Sequence, residues 1–169
     1  GKYMYFTIRP FFEQTKEAKQ KKLRGDKAPK DTLGILNLKT KEIVKFPALK
    51  RVESPREMGD FIAFNIEVDK QETATDSVAD KKKKKAKSKK ETLTLVYDFK
   101  KGEVTDTLRH IDVMAFDKYG KQLFCIAVDS TKQLFVYNPV TRSSKMILEA
   151  HKKADMQRPV ISDDGNRIA

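Results

Sequence analysis

The sequence predicts a mainly β fold assembled from repeated four-stranded antiparallel units. Three observations predict it: short apolar runs, two alternating kinds of turn, and a fixed spacing between those turns. The runs are YMYFTI, LGILNL, FIAFNI, LTLVY, QLFCIAV and QLFVY. Each is bounded by Gly, Asp, Asn, Pro or Lys, is rich in β-branched and aromatic residues, and is too short for a membrane span, so each reads as a strand, several buried on both faces. A chain of 169 residues with 38% hydrophobic content has enough apolar side chains for a core when they are clustered in this way.

Taken in order, the elements alternate between two hairpin motifs. One is strand, polar turn ending in Gly, strand: VESPREMGDFIAFNI around Gly59, VMAFDKYGKQLFCIAV around Gly120, and RPVISDDGNRIA around Gly165, with GKYMYFTI as its second half from Gly1. Glycine there suits a tight turn with positive φ. The other is strand, Asn or Asp, polar turn, strand: LGILNLKTKEIVKF at Asn37, LTLVYDFKKGEVTDTL at Asp98, and LFVYNPVTRSSKMIL at Asn138. From the second motif to the next Gly the interval is 22 residues twice and then 27. From Gly to the next second motif it is 36, 39 and then 18. The first two units therefore carry about twenty extra residues at one equivalent place, and without them the period is 40, the length of a β-propeller blade with strands a, b, c and d.

The extra residues lie between strands b and c. They are about 11–30, FFEQTKEAKQKKLRGDKAPK, and 70–90, KQETATDSVADKKKKKAKSKK. The first holds seven basic and three acidic residues and the second nine and three, whereas the other 128 residues hold 20 and 18. Most of the net charge of +12 thus sits on two loops, and the folded body is close to balanced. The run Lys81, Lys82, Lys83, Lys84, Lys85, Lys87, Lys89 and Lys90 reads as a solvated hairpin insertion, with these lysines as candidate docking residues for an acidic partner. It has no aromatic residue to stack on a base and no Arg for bidentate contacts, which disfavours nucleic acid as the partner. EQTKEAKQKKLR in the first insertion has the composition of a short surface helix.

Motifs for chemistry are absent. The sequence contains no G-x-S-x-G, H-E-x-x-H, C-x-x-C or Gly-rich phosphate loop, so no catalytic, cofactor-binding or metal-binding residue is assigned and no cofactor is expected. Cys125, within QLFCIAV, reads as a small buried side chain, because neither His110 nor His151 stands at a ligand or triad spacing from it. Asp163 and Asp164 in ISDDGN, like Asp98 and Asn138, read as turn formers that bond local amides. No apolar run reaches membrane-spanning length, and the opening residues do not form a targeting signal.

ISDDGNRIA resembles the S-x-D-G-x-x-h-A turn of WD-like repeats found in TolB-type propellers and in the amino-terminal propellers of the prolyl oligopeptidase family of serine peptidases. KDTLGILNLKTKEIVKF and ETLTLVYDFKKGEV are similar to that family's strand c to strand d hairpins, and YFTIRP followed by a Lys-rich insertion resembles its Bacteroidetes-type bacterial members. The resemblance implies a propeller that covers an α/β-hydrolase domain of the same chain, gates it and helps hold a peptide substrate, and it implies an exported or periplasmic protein. No triad residue lies in this segment to carry over, and no paired-Glu motif of the dipeptidyl peptidases is present.

The expectation is a propeller segment: a partial blade at 1–50 with insertion 11–30, a blade at 51–108 with insertion 70–90, a blade at 109–148, and the start of another at 149–169. An open arc would expose strand edges, so the isolated segment is expected to be strained, associated with copies of itself, or cut from a larger protein. The competing expectation is a TolB or WD-type interaction propeller with no hydrolase, docking an acidic protein or surface through its basic loops.

Overall fold

The computed structural model describes residues 2–57, 59–69, 90–163 and 167–168. Ten strands and one helix follow one another as β1 (Tyr3–Ile8), α1 (Phe12–Gln20), β2 (Asp31–Asn37), β3 (Ile43–Glu53), β4 (Phe61–Asp69), β5 (Lys90–Asp98), β6 (Glu103–Arg109), β7 (Ile111–Phe116), β8 (Leu123–Val128), β9 (Thr131–Asn138) and β10 (Ser143–His151). All pairings between strands are antiparallel and join neighbours in sequence, giving one sheet ordered β1 to β6 and a second ordered β7 to β10. The helix falls inside the Lys-rich sequence expected to form one.

The first sheet has six strands because β3 pairs twice. Its first part, Ile43 to Leu49, lies against β2, and its second, Leu49 to Glu53, against β4. Pro47 has no N–H to give to a ladder, and Ala48 takes a positive φ of 57°, so the strand breaks direction between its two partners. The consequence is visible in the aromatic side chains. Strands β1 and β5 are four ladder steps apart, about 19 Å in a flat sheet, yet the rings of Tyr3 in β1 and Phe99 just after β5 stand 5.7 Å apart. The six-stranded sheet is folded over at β3.

Two cores result. Leu33 and Ile35 of β2 pack with Ile62 and Phe64 of β4 and Leu95 and Tyr97 of β5 inside the fold of the first sheet. Alternate residues of the same central strands, Phe61, Ala63 and Val96, point the other way and meet Ile111, Met114, Leu123, Cys125 and Tyr137 of the second sheet. Strands β4 and β5 are therefore buried on both faces, as their unbroken apolar runs predicted. Two buried polar side chains within them satisfy each other: Thr94 donates to Asn65 at 2.9 Å.

The Asn and Asp turns are three copies of one device. Asn37 Oδ1 accepts from the amides of Lys39 and Thr40, Asp98 Oδ1 from those of Lys100 and Lys101, and Asn138 Oδ1 from those of Val140 and Thr141. Four residues after each acceptor the backbone turns through positive φ, at Lys41 (64°), Gly102 (75°) and Arg142 (55°). The side chain holds the turn locally, so residues other than glycine carry the left-handed position in two of the three.

The Gly turns agree less closely with expectation. Gly120 has φ 71°, as anticipated, whereas Gly59 is not in the left-handed region. What excludes a side chain at Gly59 is space: a Cβ there would lie 2.5 Å from Pro55 Cγ, and one at Gly120 would meet the same atom at 2.5 Å. Pro55 is thus wedged between the turns that enter β4 and β8. Gly1 and Gly165 lie outside the described residues.

Candidate functional site

Two places bring charged side chains together across the fold, and neither was singled out in the sequence. The first is a cleft of ≈ 290 Å³ where the end of β3, the end of β7 and residues 158–163 converge. It is placed there by the turns just described, since Glu57 N–H donates to the Lys118 carbonyl at 3.0 Å and ties one turn to the next. On one wall, Glu53 accepts from Arg51 Nε at 3.0 Å and from its terminal nitrogen at 2.7 Å, while Arg158 donates to the other carboxylate oxygen at 2.9 Å. Ser54 beside it accepts a 2.9 Å hydrogen bond from Tyr5. On the opposite wall Lys118 lies 3.6 Å from Asp163, and Arg56 and Val160 complete the rim.

The lining offers guanidinium, ammonium, carboxylate and apolar surface. It includes no imidazole and no thiol. Ser162, next to Asp163, is engaged in its own hairpin, where its Oγ accepts from the Arg167 amide at 3.0 Å and its amide donates to the Arg167 carbonyl at 3.0 Å. Asp163, expected to bond local amides, is seen here beside Lys118, and Asp164 lies outside the described residues.

The second place is the root of the two insertions. Glu67, near the end of β4, has a side chain only 6% exposed and is ringed by three lysines. Lys30, the last residue of the first insertion, is ion-paired with it; Lys50 of β3 lies at 2.7 Å; and Lys90, the first residue of β5, lies at 3.9 Å. Oε2, closed off from water, faces the charges of Lys30 and Lys90. Lys50 also donates to Thr92 at 3.1 Å. One buried carboxylate thereby gathers residues from three elements at the point where both basic loops leave the body. Of the candidate docking lysines, Lys90 is placed here, and Lys81, Lys82, Lys83, Lys84, Lys85, Lys87 and Lys89 lie outside the described residues.

Cys125 is buried in β8 as expected, and burial pushes its thiol up to about 12. Its partner in the second core, Tyr137, is raised by burial first and then by the hydrogen bond it donates to Asp106 Oδ2 at 2.8 Å. That bond joins β9 to β6 across the two sheets. Among the described residues, no group of three or more His, Cys, Asp and Glu side chains is arranged to hold a metal ion, and no helix is long and apolar enough to cross a membrane.

No protein-family model matches the chain, and no curated protein matches it. Solved structures do. An acylaminoacyl peptidase from Pyrococcus horikoshii is similar with a TM-score of 0.52 at 16% identity, over 72% of this chain and 16% of that one. An acylaminoacyl peptidase in complex with Z-Gly-Gly-Phe-chloromethyl ketone is similar with a TM-score of 0.51 at 16% identity, over 71% and 16%. The β-propeller domain of the trilobed protease from Pyrococcus furiosus, described as having an open velcro topology, matches with a TM-score of 0.49 at 16% identity, over 69% and 31%. The chain spans less than a third of each of these proteins, and at this identity the likeness is one of fold. The chain is a mainly β, partial propeller, and its fold resembles the propeller domains of peptidases of the prolyl oligopeptidase family.

Proposed function

We propose that the chain is the non-catalytic propeller segment of a larger serine peptidase acting on small peptides, in which it scaffolds the hydrolase domain of the same chain and gates access to it. The observation that carries this reading is the convergence of two successive turn regions, Ser54 to Glu57 and Asp117 to Gly120, and the segment Arg158 to Asp163 on one charged cleft. Repeated turns that meet around an opening form a rim, and a rim lined by guanidinium, ammonium and carboxylate groups suits an extended peptide better than a folded surface.

The same reading divides the chain into a partial blade at 1–50, blades at 51–108 and 109–148, and the start of another at 149–169. It is supported by the positive φ of Ala48 and His110, 62 residues apart: Ala48 lies inside β3, between the part paired with β2 and the part paired with β4, and His110 lies between β6 and β7. Exposed Met4 and Tyr5 on edge strand β1, and Met146, Ile147 and Leu148 on edge strand β10, are the surfaces through which an isolated segment would self-associate. An interaction propeller without a hydrolase is the second reading, favoured by the gathering of Lys30, Lys50 and Lys90 at the root of the basic loops.

The test is to label the protein that contains this chain with a fluorophosphonate probe and to compare its cleavage of short and long peptides. Labelling at a serine outside residues 1–169, with cleavage confined to short peptides, supports the gate. A folded protein that never labels overturns it and leaves the interaction propeller.

A further inference from the structure

Phe11 and Phe12 are adjacent and each is 79% exposed, more than any other large apolar side chain among the described residues. Single exposed apolar residues are ordinary, but two together at the tip of an element are not. They stand at the start of α1, whose inward side is held by buried Ala18 and half-buried Thr15 and Leu23. The outward side continues the pair with cations. Lys16 and Lys19 follow Phe12 at i+4 and i+7, and both are exposed, as are Lys21, Lys22, Arg24 and Lys27 further on. Residues 9–30 hold eight Lys or Arg against three acids.

We propose that this helix is an interfacial anchor that docks the protein on an anionic lipid surface, with Phe11 and Phe12 entering the headgroup boundary and the lysines binding the headgroups. Aromatic side chains flanked by cations on a short surface helix are what such a boundary selects, because rings and ammonium groups are satisfied at different depths of one layer. The shape favours lipid over the other anionic partners. The two rings stand in solvent, each 79% exposed, and neither lines the hollow beside α1, which is formed by Ala18, Leu23, Ala28 and Pro29 with Gln14, Glu17, Lys21 and Lys27. A protein partner would have to supply a matching pocket, whereas a lipid interface deforms around any wedge. Single-stranded nucleic acid tracks a basic groove, and here Glu13 and Glu17 interrupt the cations.

The experiment is co-sedimentation of the protein with vesicles of phosphatidylcholine, with and without phosphatidylglycerol. Binding is expected only with phosphatidylglycerol, falling as salt rises, and at least about tenfold weaker in Phe11→Ser/Phe12→Ser. Equal binding of the serine variant would reduce the contact to lysine adsorption and overturn the proposal. Absence of vesicle binding, or binding of a single-stranded oligonucleotide in its place, would overturn it too. The chain contains no tryptophan, so Phe12→Trp provides a reporter that does not depend on the serine variant folding. Its emission shifts to the blue on vesicle binding if residue 12 enters the interface and stays unshifted if it does not.

Discussion

Raising the pH should destabilise this fold through one thiol, and the size of the effect follows from where Cys125 sits. The side chain is fully buried among Phe61, Ala63, Val96 and Met114 of the core between the sheets, and burial lifts its pKa from 9.0 to about 12. Below pH 9 the folded and unfolded chains both keep the proton, so the thiol adds no pH dependence. Between 9 and 12 the unfolded chain releases it and the folded chain does not, so unfolding is increasingly favoured. Each pH unit in that window removes about 1.4 kcal/mol, which makes about 2.7 kcal/mol lost between pH 9 and 11. Other titrations contribute in the same range, Tyr137 among them above pH 10, and a Cys125→Ala control removes them by difference. Its lost sulfur lowers stability by an amount that does not vary with pH. Urea unfolding of both proteins at pH 8, 9, 10 and 11 should therefore show the wild type converging on the variant by about 1.4 kcal/mol per unit from pH 9 upward. Two curves that stay parallel through pH 11 would refute the reasoning, as would alkylation of the native thiol at pH 8 without prior unfolding.

Two further outcomes test the contacts between sheets. Gly120→Ala forces a Cβ to within 2.5 Å of Pro55 and places a side chain at φ 71°, so urea unfolding should register a loss of about 2–4 kcal/mol; a loss under 1 kcal/mol would mean that Pro55 is not wedged. Tyr137→Phe removes the donor to Asp106 at 2.8 Å and should cost about 1.5–2 kcal/mol by the same assay, with little further loss when Asp106→Asn is added, because one bond is removed in both cases.

What the sequence disclosed depended on how locally each feature is determined. The Asx turns at Asn37, Asp98 and Asn138 were legible because acceptor, amides and left-handed residue lie within five positions of one another. The two-faced burial of β4 and β5 was legible because FIAFNI and LTLVY have no polar alternation. Strand β3 was not: the expected units divide at residues 50 and 51, whereas one strand runs from Ile43 to Glu53 and, with Ala48 at positive φ, passes from one partner to a second. The site geometry was hidden for a related reason. Glu67 meets residues 30, 50 and 90, and Glu53 meets residue 158, and no spacing rule connects positions brought together by strand pairing across units. Gly59 was expected to need glycine for a positive φ, whereas the structure excludes a side chain there by crowding from Pro55, four residues earlier.

The pairing of Asp69 with Lys90 at the open end of β4 and β5 has a consequence for how this chain tolerates growth. The chain leaves the body at Asp69 and rejoins it at Lys90, and these two points are fixed by nine consecutive strand partners. Loop closure depends on the logarithm of length, so doubling that stretch costs only about 0.6 kcal/mol. A reporter domain or epitope grafted between residues 69 and 90 should leave the folded body intact, with the strands on either side still in register.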